Sequence, residues 1–124
     1  MKTVLVIDDD TTFASMIGAS LDKNAYRIVS AADGVKGLEA MSSAAPDVIL
    51  LDIKMPNMNG LQFLAEVKKT LGDKKPAIII TSNDSSLETI SEGTEFGVRG
   101  YILKSNETLH NIADLVEKIA LETQ

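Results

Sequence analysis

Five short apolar runs, most of them β-branched, recur along the chain at residues 4–7, 26–31, 48–51, 77–80 and 101–103. Most are continuous rather than alternating, as expected of strands buried on both faces in a parallel sheet. Parallel strands need crossover connections, and each gap is long enough to hold a helix. Residues 11–21 place Phe13, Met16, Ile17 and Leu21 at helical spacing, and residues 35–41 continue that pattern toward a stop at Pro46. Residues 61–71 carry Leu61, Leu64, Val67, Lys68 and Leu71, with Gly72 as the expected end. The last helix, expected over 107–121, has an apolar stripe of Leu109, Ile112, Leu115, Val116 and Ile119. The segment 85–96 has the weakest periodicity, with Leu87, Ile90 and Phe96 spread among Ser, Thr and Glu.

The pattern is βα repeated five times. It predicts an α/β fold: a five-stranded parallel sheet, doubly wound and flavodoxin-like, with five helices and right-handed crossovers. At 124 residues, with no linker or repeat, the chain reads as one domain over 1–124. For strand order 2-1-3-4-5, a ligand is expected beyond the carboxyl ends of strands 1 and 3, where the order reverses.

Acid sits at that place. The first run ends in Asp8, Asp9 and Asp10, and the third ends in Asp52. Carboxylates crowded at strand ends repel, and a bound cation or a shared proton relieves them. Hard oxygen ligands of this kind suit Mg²⁺. The plain alternative is that such aspartates cap helices or lie solvated in loops, and Asp10, just before Thr11, Thr12 and Phe13, fits a cap. Strand 4 runs into Thr81 and Ser82, and strand 5 into Lys104 and Ser105. A hydroxyl there is either a cap or a ligand to oxygen, and a lysine is either a surface cation or a counter-charge to the acids. A hydroxyl, an ammonium and a metal around one carboxylate are the parts that hold a phosphoryl group.

Composition narrows the classes further. A net charge of −6 argues against nucleic-acid binding by this domain itself and against attachment to anionic membrane. The absence of cysteine excludes disulfides and thiolate chemistry. The first apolar run is too short for a signal peptide or a span, so the cytoplasm is the expected compartment. His110 is the single histidine and reads as an ordinary surface residue on a polar helix face.

These motifs together resemble the receiver domains of bacterial two-component response regulators, of the chemotaxis-regulator kind. The resemblance covers essentially the whole chain. It rests on Asp8-Asp9, on the run from Asp52 through Lys54 and Pro56 to Gly60, on Thr81-Ser82, and on Gly100 to Lys104. It implies Asp52 as phosphoacceptor, with Thr81 and Lys104 on the phosphoryl oxygens. It implies Mg²⁺, or Mn²⁺, on Asp9, Asp52 and the Lys54 carbonyl, with Asp8 in the outer shell. It further implies a switch through Thr81 and Tyr101 at the face formed by segment 85–96, strand 5 and the last helix. The implied partners are a histidine kinase or histidine phosphotransfer protein, a downstream effector protein or domain, and a second copy of the chain on phosphorylation. The family usually has proline in a cis peptide after the strand-5 lysine. Ser105 stands there instead, which predicts a different loop shape around Lys104.

The expected function is a phosphorylation switch that catalyses only its own phosphorylation and dephosphorylation. Two alternatives belong to other classes. One is a Mg²⁺-dependent phosphohydrolase with an aspartate nucleophile, but Lys54 stands where its second aspartate belongs. The other is a receiver-like interaction module that takes no phosphate, which the Asp52, Thr81 and Lys104 set disfavours.

Overall fold

The computed structural model describes residues 1–53, 60–71, 76–82, 97–105 and 107–122. Its strands are β1 (Lys2–Ile7), β2 (Tyr26–Ala31), β3 (Val48–Asp52), β4 (Ala77–Ser82) and β5 (Gly100–Leu103). They form one parallel sheet in the order β2-β1-β3-β4-β5, the flavodoxin-like arrangement predicted. Four helices are found among the described residues: α1 (Thr11–Ser20), α2 (Gly34–Ala44), α3 (Gly60–Leu71) and α4 (Leu109–Glu122). The fifth expected helix, over 85–96, and the expected stop at Gly72 lie outside the described residues.

The period-2 alternation of a strand explains why continuous apolar runs were needed. Val4, Val6, Val48, Leu50 and Ile79 face one side, where they pack with Phe13 and Ile17 of α1 and Ile112, Val116 and Ile119 of α4. Leu5, Ile7, Ile49, Leu51, Ile78 and Ile80 face the other, against Phe63, Leu64 and Val67 of α3. Helices on both faces leave no apolar side of the central strands in water. Every residue of β3 and β4 is buried.

The helix ends have local causes. Asp10 caps α1, its side chain accepting from the backbone N–H groups of Thr12 and Phe13 at 3.0 and 3.2 Å. Asp33 caps α2, accepting from Lys36 N–H at 2.9 Å. α2 runs past Met41 to Ala44, and Pro46 then disfavours helical backbone at the residue before it. Ala45 turns left-handed (φ 47°) and its N–H donates back to Met41 O at 3.2 Å, an αL cap. α4 begins with Thr108 Oγ1 accepting from Asn111 N–H at 3.1 Å. Among the described residues no helix is long and apolar enough to cross a membrane.

Candidate functional site

The site is assembled from the carboxyl ends of four strands. After β1 the chain stays beside β2, with Asp8 N–H donating to Ala31 O at 3.0 Å. This turns the Asp8 side chain inward, where only 2% of the residue is exposed. Its Oδ1 accepts from Asp10 N–H at 2.9 Å. Asp9, between them, is exposed. Asp52 is the last residue of β3 and is buried. Carboxylate oxygens of Asp8, Asp9 and Asp52 lie within 4.8 Å of one another. At an effective dielectric of about 20, unit charges at that range repel by roughly 3 kcal/mol for the buried Asp8–Asp52 pair, and solvent screens the pairs that involve the exposed Asp9.

Lys104 supplies part of the relief. Its backbone N–H donates to Ser82 O at 2.8 Å, which extends the β4–β5 pairing one step past the strand. Its Nζ lies 2.5 Å from Asp8 Oδ2 and 3.8 Å from Asp52 Oδ2. The counter-charge expected from sequence is therefore present, and it sits closer to Asp8 than to Asp52. The peptide to Ser105 is trans, and the ammonium still reaches both carboxylates. Below it lies the Phe13 ring, with Nζ 4.6 Å from the centroid.

Thr81 occupies the neighbouring strand in direct register with Asp52. It is 1% exposed, and its Oγ1 is buried with no hydrogen-bond partner among the described residues. Helix capping, the plain alternative for this hydroxyl, is therefore not what it does among them. Tyr101 pairs with Ile80, one residue from Thr81 along β4. It is half-buried and packs against the core on the α3 side of the sheet.

Two residues carry more of the site than sequence reasoning assigned them. Gly60, the first residue of α3, lies against the end of β3: a Cβ there would fall 2.7 Å from Asp52 O and 2.8 Å from Ile53 Cα. Its N–H donates to Ile53 O at 2.9 Å. Only glycine lets α3 start this close to the acidic strand end. Phe13 reads from sequence as a core position on the α1 stripe, and its contact with a cation 91 residues away has no local signature. Lys54, whose carbonyl the resemblance implies as a ligand, lies outside the described residues. His110 is 83% exposed by its side chain and 3.3 Å from Asp114, an ordinary surface pair.

A family model for the response regulator receiver domain matches residues 4–119. The chain belongs to the response regulator receiver family. The receiver is 34% identical over 122 residues to "Response regulator MprA" of Mycobacterium ulcerans, covering 96% of this chain and 52% of that protein. It is 30% identical to "Regulator of RpoS" of Escherichia coli K12, covering 93% of this chain and 34% of that one. The receiver thus spans about half the length of the first relative and about a third of the second. Among solved structures it is similar to the chemotaxis protein CheY4 of Vibrio cholerae, with a TM-score of 0.85, 28% identity and coverage of 96% and 98%. It is also similar to the phosphorylated cyanobacterial phytochrome response regulator RcpA, with a TM-score of 0.85, 25% identity and coverage of 99% and 96%.

Membership makes the receiver a two-component signalling domain with a phosphoacceptor role. Receiver domains generally bind a divalent metal at an acidic pocket, and Asp8, Asp9 and Asp52 form an acidic cluster here. The donor set fits the ion. All three side chains offer hard oxygen, and the exposed Asp9 leaves the site open to the waters that Mg²⁺ retains.

Proposed function

We propose that the receiver, as one domain over 1–124, is a switch whose phosphoacceptor is Asp52, loaded from a phosphohistidine on a kinase or a phosphotransfer protein. The observation that carries this is the Thr81 hydroxyl, buried, without a partner among the described residues, and in register with Asp52. A buried hydroxyl with nothing to bond costs about 1–3 kcal/mol. A phosphoryl oxygen arriving on Asp52 is an acceptor that would remove that cost.

In the transfer, an Asp52 carboxylate oxygen attacks phosphorus, the P–N bond breaks and its electron pair leaves with the imidazole. Lys104 starts 3.8 Å from Asp52 and supplies its ammonium to the phosphoryl oxygens. The Thr81 hydroxyl donates a hydrogen bond to a second oxygen. Asp9 and Asp52 would hold Mg²⁺ or Mn²⁺, with Asp8 through water and the Lys54 carbonyl as a further ligand. When bound, that ion neutralises charge on the transferred phosphoryl group. Water later attacks phosphorus, inorganic phosphate leaves and the Asp52 carboxylate is regenerated. The domain is consumed and reset rather than turning over a free substrate, which separates it from an enzyme.

The signal would leave through β4 and β5. Thr81 moves toward the phosphoryl group, and Tyr101, half apolar and half polar, turns inward beside it. The face of segment 85–96, β5 and α4 is then what an effector protein or domain, or a second copy of the chain, reads. The equilibrium shifts only by as much as the two conformations differ in their contacts with the phosphoryl group. The compartment we infer is the cytoplasm. Incubation with acetyl phosphate and Mg²⁺ is expected to add one hydroxylamine-labile phosphate, lost in Asp52→Ala. Undiminished labelling of that variant overturns the assignment.

A further inference from the structure

Lys104 is held by more than its carboxylates. Its ammonium lies 4.6 Å from the centroid of Phe13, well inside the range at which a ring face attracts a cation. Both groups are largely withdrawn from water, Phe13 at 9% exposed and the Lys104 side chain at 12%. Desolvation strengthens such a contact. The ring is also tied to the acidic loop through its own backbone. Phe13 N–H donates to Asp10 Oδ1 at 3.2 Å, Asp10 N–H donates to Asp8 Oδ1 at 2.9 Å, and Asp8 Oδ2 takes the ammonium at 2.5 Å. Asp8, Lys104, Phe13 and Asp10 therefore close a ring of contacts in which each member locates the next.

The two anchors of Lys104 differ in kind. The bond to Asp8 is directional and short, and it holds the ammonium nearer to Asp8, at 2.5 Å, than to Asp52, at 3.8 Å. The ring face attracts an ammonium anywhere within about 6 Å of its centroid, so from 4.6 Å the ammonium can shift by about an ångström and keep its interaction. A lysine on a flexible stem, followed by Ser105, needs such a surface if it is to leave Asp8 for a phosphoryl group without losing its place.

We propose that Phe13 is a positioning residue for Lys104, its ring face holding the ammonium over the site as it passes from Asp8 to the phosphoryl group on Asp52. The inference rests on the phosphoacceptor reading above for its consequence, and on geometry alone for the contact. Phe13→Leu removes the π face and keeps an apolar side chain, and Phe13→Tyr keeps the face. Two readouts decide the matter. The first is side-chain NMR of Lys104, assigned by its loss in Lys104→Met. In the wild type and Phe13→Tyr the protons next to Nζ should be ring-current shifted, and in Phe13→Leu they should return to ordinary lysine values. The second is the rate of labelling by acetyl phosphate on protein verified as folded. Phe13→Leu should be slower by about fivefold, as expected for loss of a partly desolvated cation–π contact, while Phe13→Tyr keeps the wild-type rate. Unchanged Lys104 resonances in Phe13→Leu overturn the contact. A wild-type labelling rate in Phe13→Leu, or equal slowing in Phe13→Tyr, overturns the positioning role. Absence of labelling in the wild type would instead remove the phosphoacceptor reading and with it the proposed role of the ring, while the NMR comparison would still decide the contact.

Discussion

Replacing Thr81 by valine separates what the hydroxyl costs from what it does. On folding, Thr81 Oγ1 gives up its water and finds no partner among the described residues, with the residue 1% exposed. Burying an uncompensated hydroxyl costs about 1–3 kcal/mol. Valine has nearly the same shape, so the exchange leaves no cavity, and it keeps the β-branching that suits a strand. Thr81→Val should therefore be more stable than the wild type by about 1–2 kcal/mol in the metal-free, unphosphorylated protein. For a domain of this size that is a Tm increase of about 3–10 °C. Urea unfolding followed by circular dichroism measures it as a higher midpoint at unchanged m. With Mg²⁺ and beryllofluoride, a mimic of the phosphoryl group, the hydroxyl gains its acceptor and the order should narrow or reverse, because only the wild type gains that bond. A metal-free Thr81→Val that is less stable than the wild type by more than about 0.5 kcal/mol, at equal m, would mean that the hydroxyl has a favourable partner before phosphorylation. The main support for Asp52 as acceptor would then fall.

Gly60→Ala should destabilise by about 1–3 kcal/mol, because its Cβ would fall 2.7 Å from backbone oxygen of Asp52 and 2.8 Å from Ile53 Cα rather than against a yielding side chain. Denaturant unfolding within about 0.5 kcal/mol of the wild type would show that α3 does not need that close approach. Asp9→Asn removes one of three carboxylates gathered within 4.8 Å. It should raise the metal-free melting temperature at low ionic strength, an advantage that shrinks with added salt. It should also abolish the Mg²⁺-dependent rise in melting temperature, and an undiminished rise would remove Asp9 from the metal site.

How far the site was legible can be judged residue by residue. The strand ends were readable because a continuous β-branched run stops being a strand where acid begins, so Asp8 and Asp52 fell at the correct edge of the sheet. Asp10 was readable as a cap because Ser, Thr, Asp and Asn before an apolar helical pattern carry their own local reason. Strand order is not written in the five βα repeats themselves: 2-1-3-4-5 comes with the flavodoxin-like arrangement, and the pairing of Val4 with Val48 and of Val48 with Ala77 bears it out. Element starts differ by a residue or two, β1 beginning at Lys2 rather than Val4, whereas α2 continues to Ala44 as the expected stop at Pro46 requires. Periodicity marks a face, and it does not mark where the last hydrogen bond closes.

The sequence alone determined that the chain would be a parallel α/β sheet with acid at one end, because local composition and periodicity dictate which segments extend, which coil and which faces must leave water. The tertiary structure decided which atoms meet there. Lys104 and Asp8 stand 96 residues apart, and their contact at 2.5 Å against 3.8 Å to Asp52 is a difference of about an ångström that no spacing rule encodes. The same holds for the Thr81 hydroxyl, unpartnered among the described residues, for the Phe13 face beneath the ammonium and for the space denied to any side chain at Gly60. A one-dimensional pattern specifies which way a side chain points. Packing of strands from distant parts of the chain sets the distances, and electrostatics and hydrogen bonding at this site depend on distance.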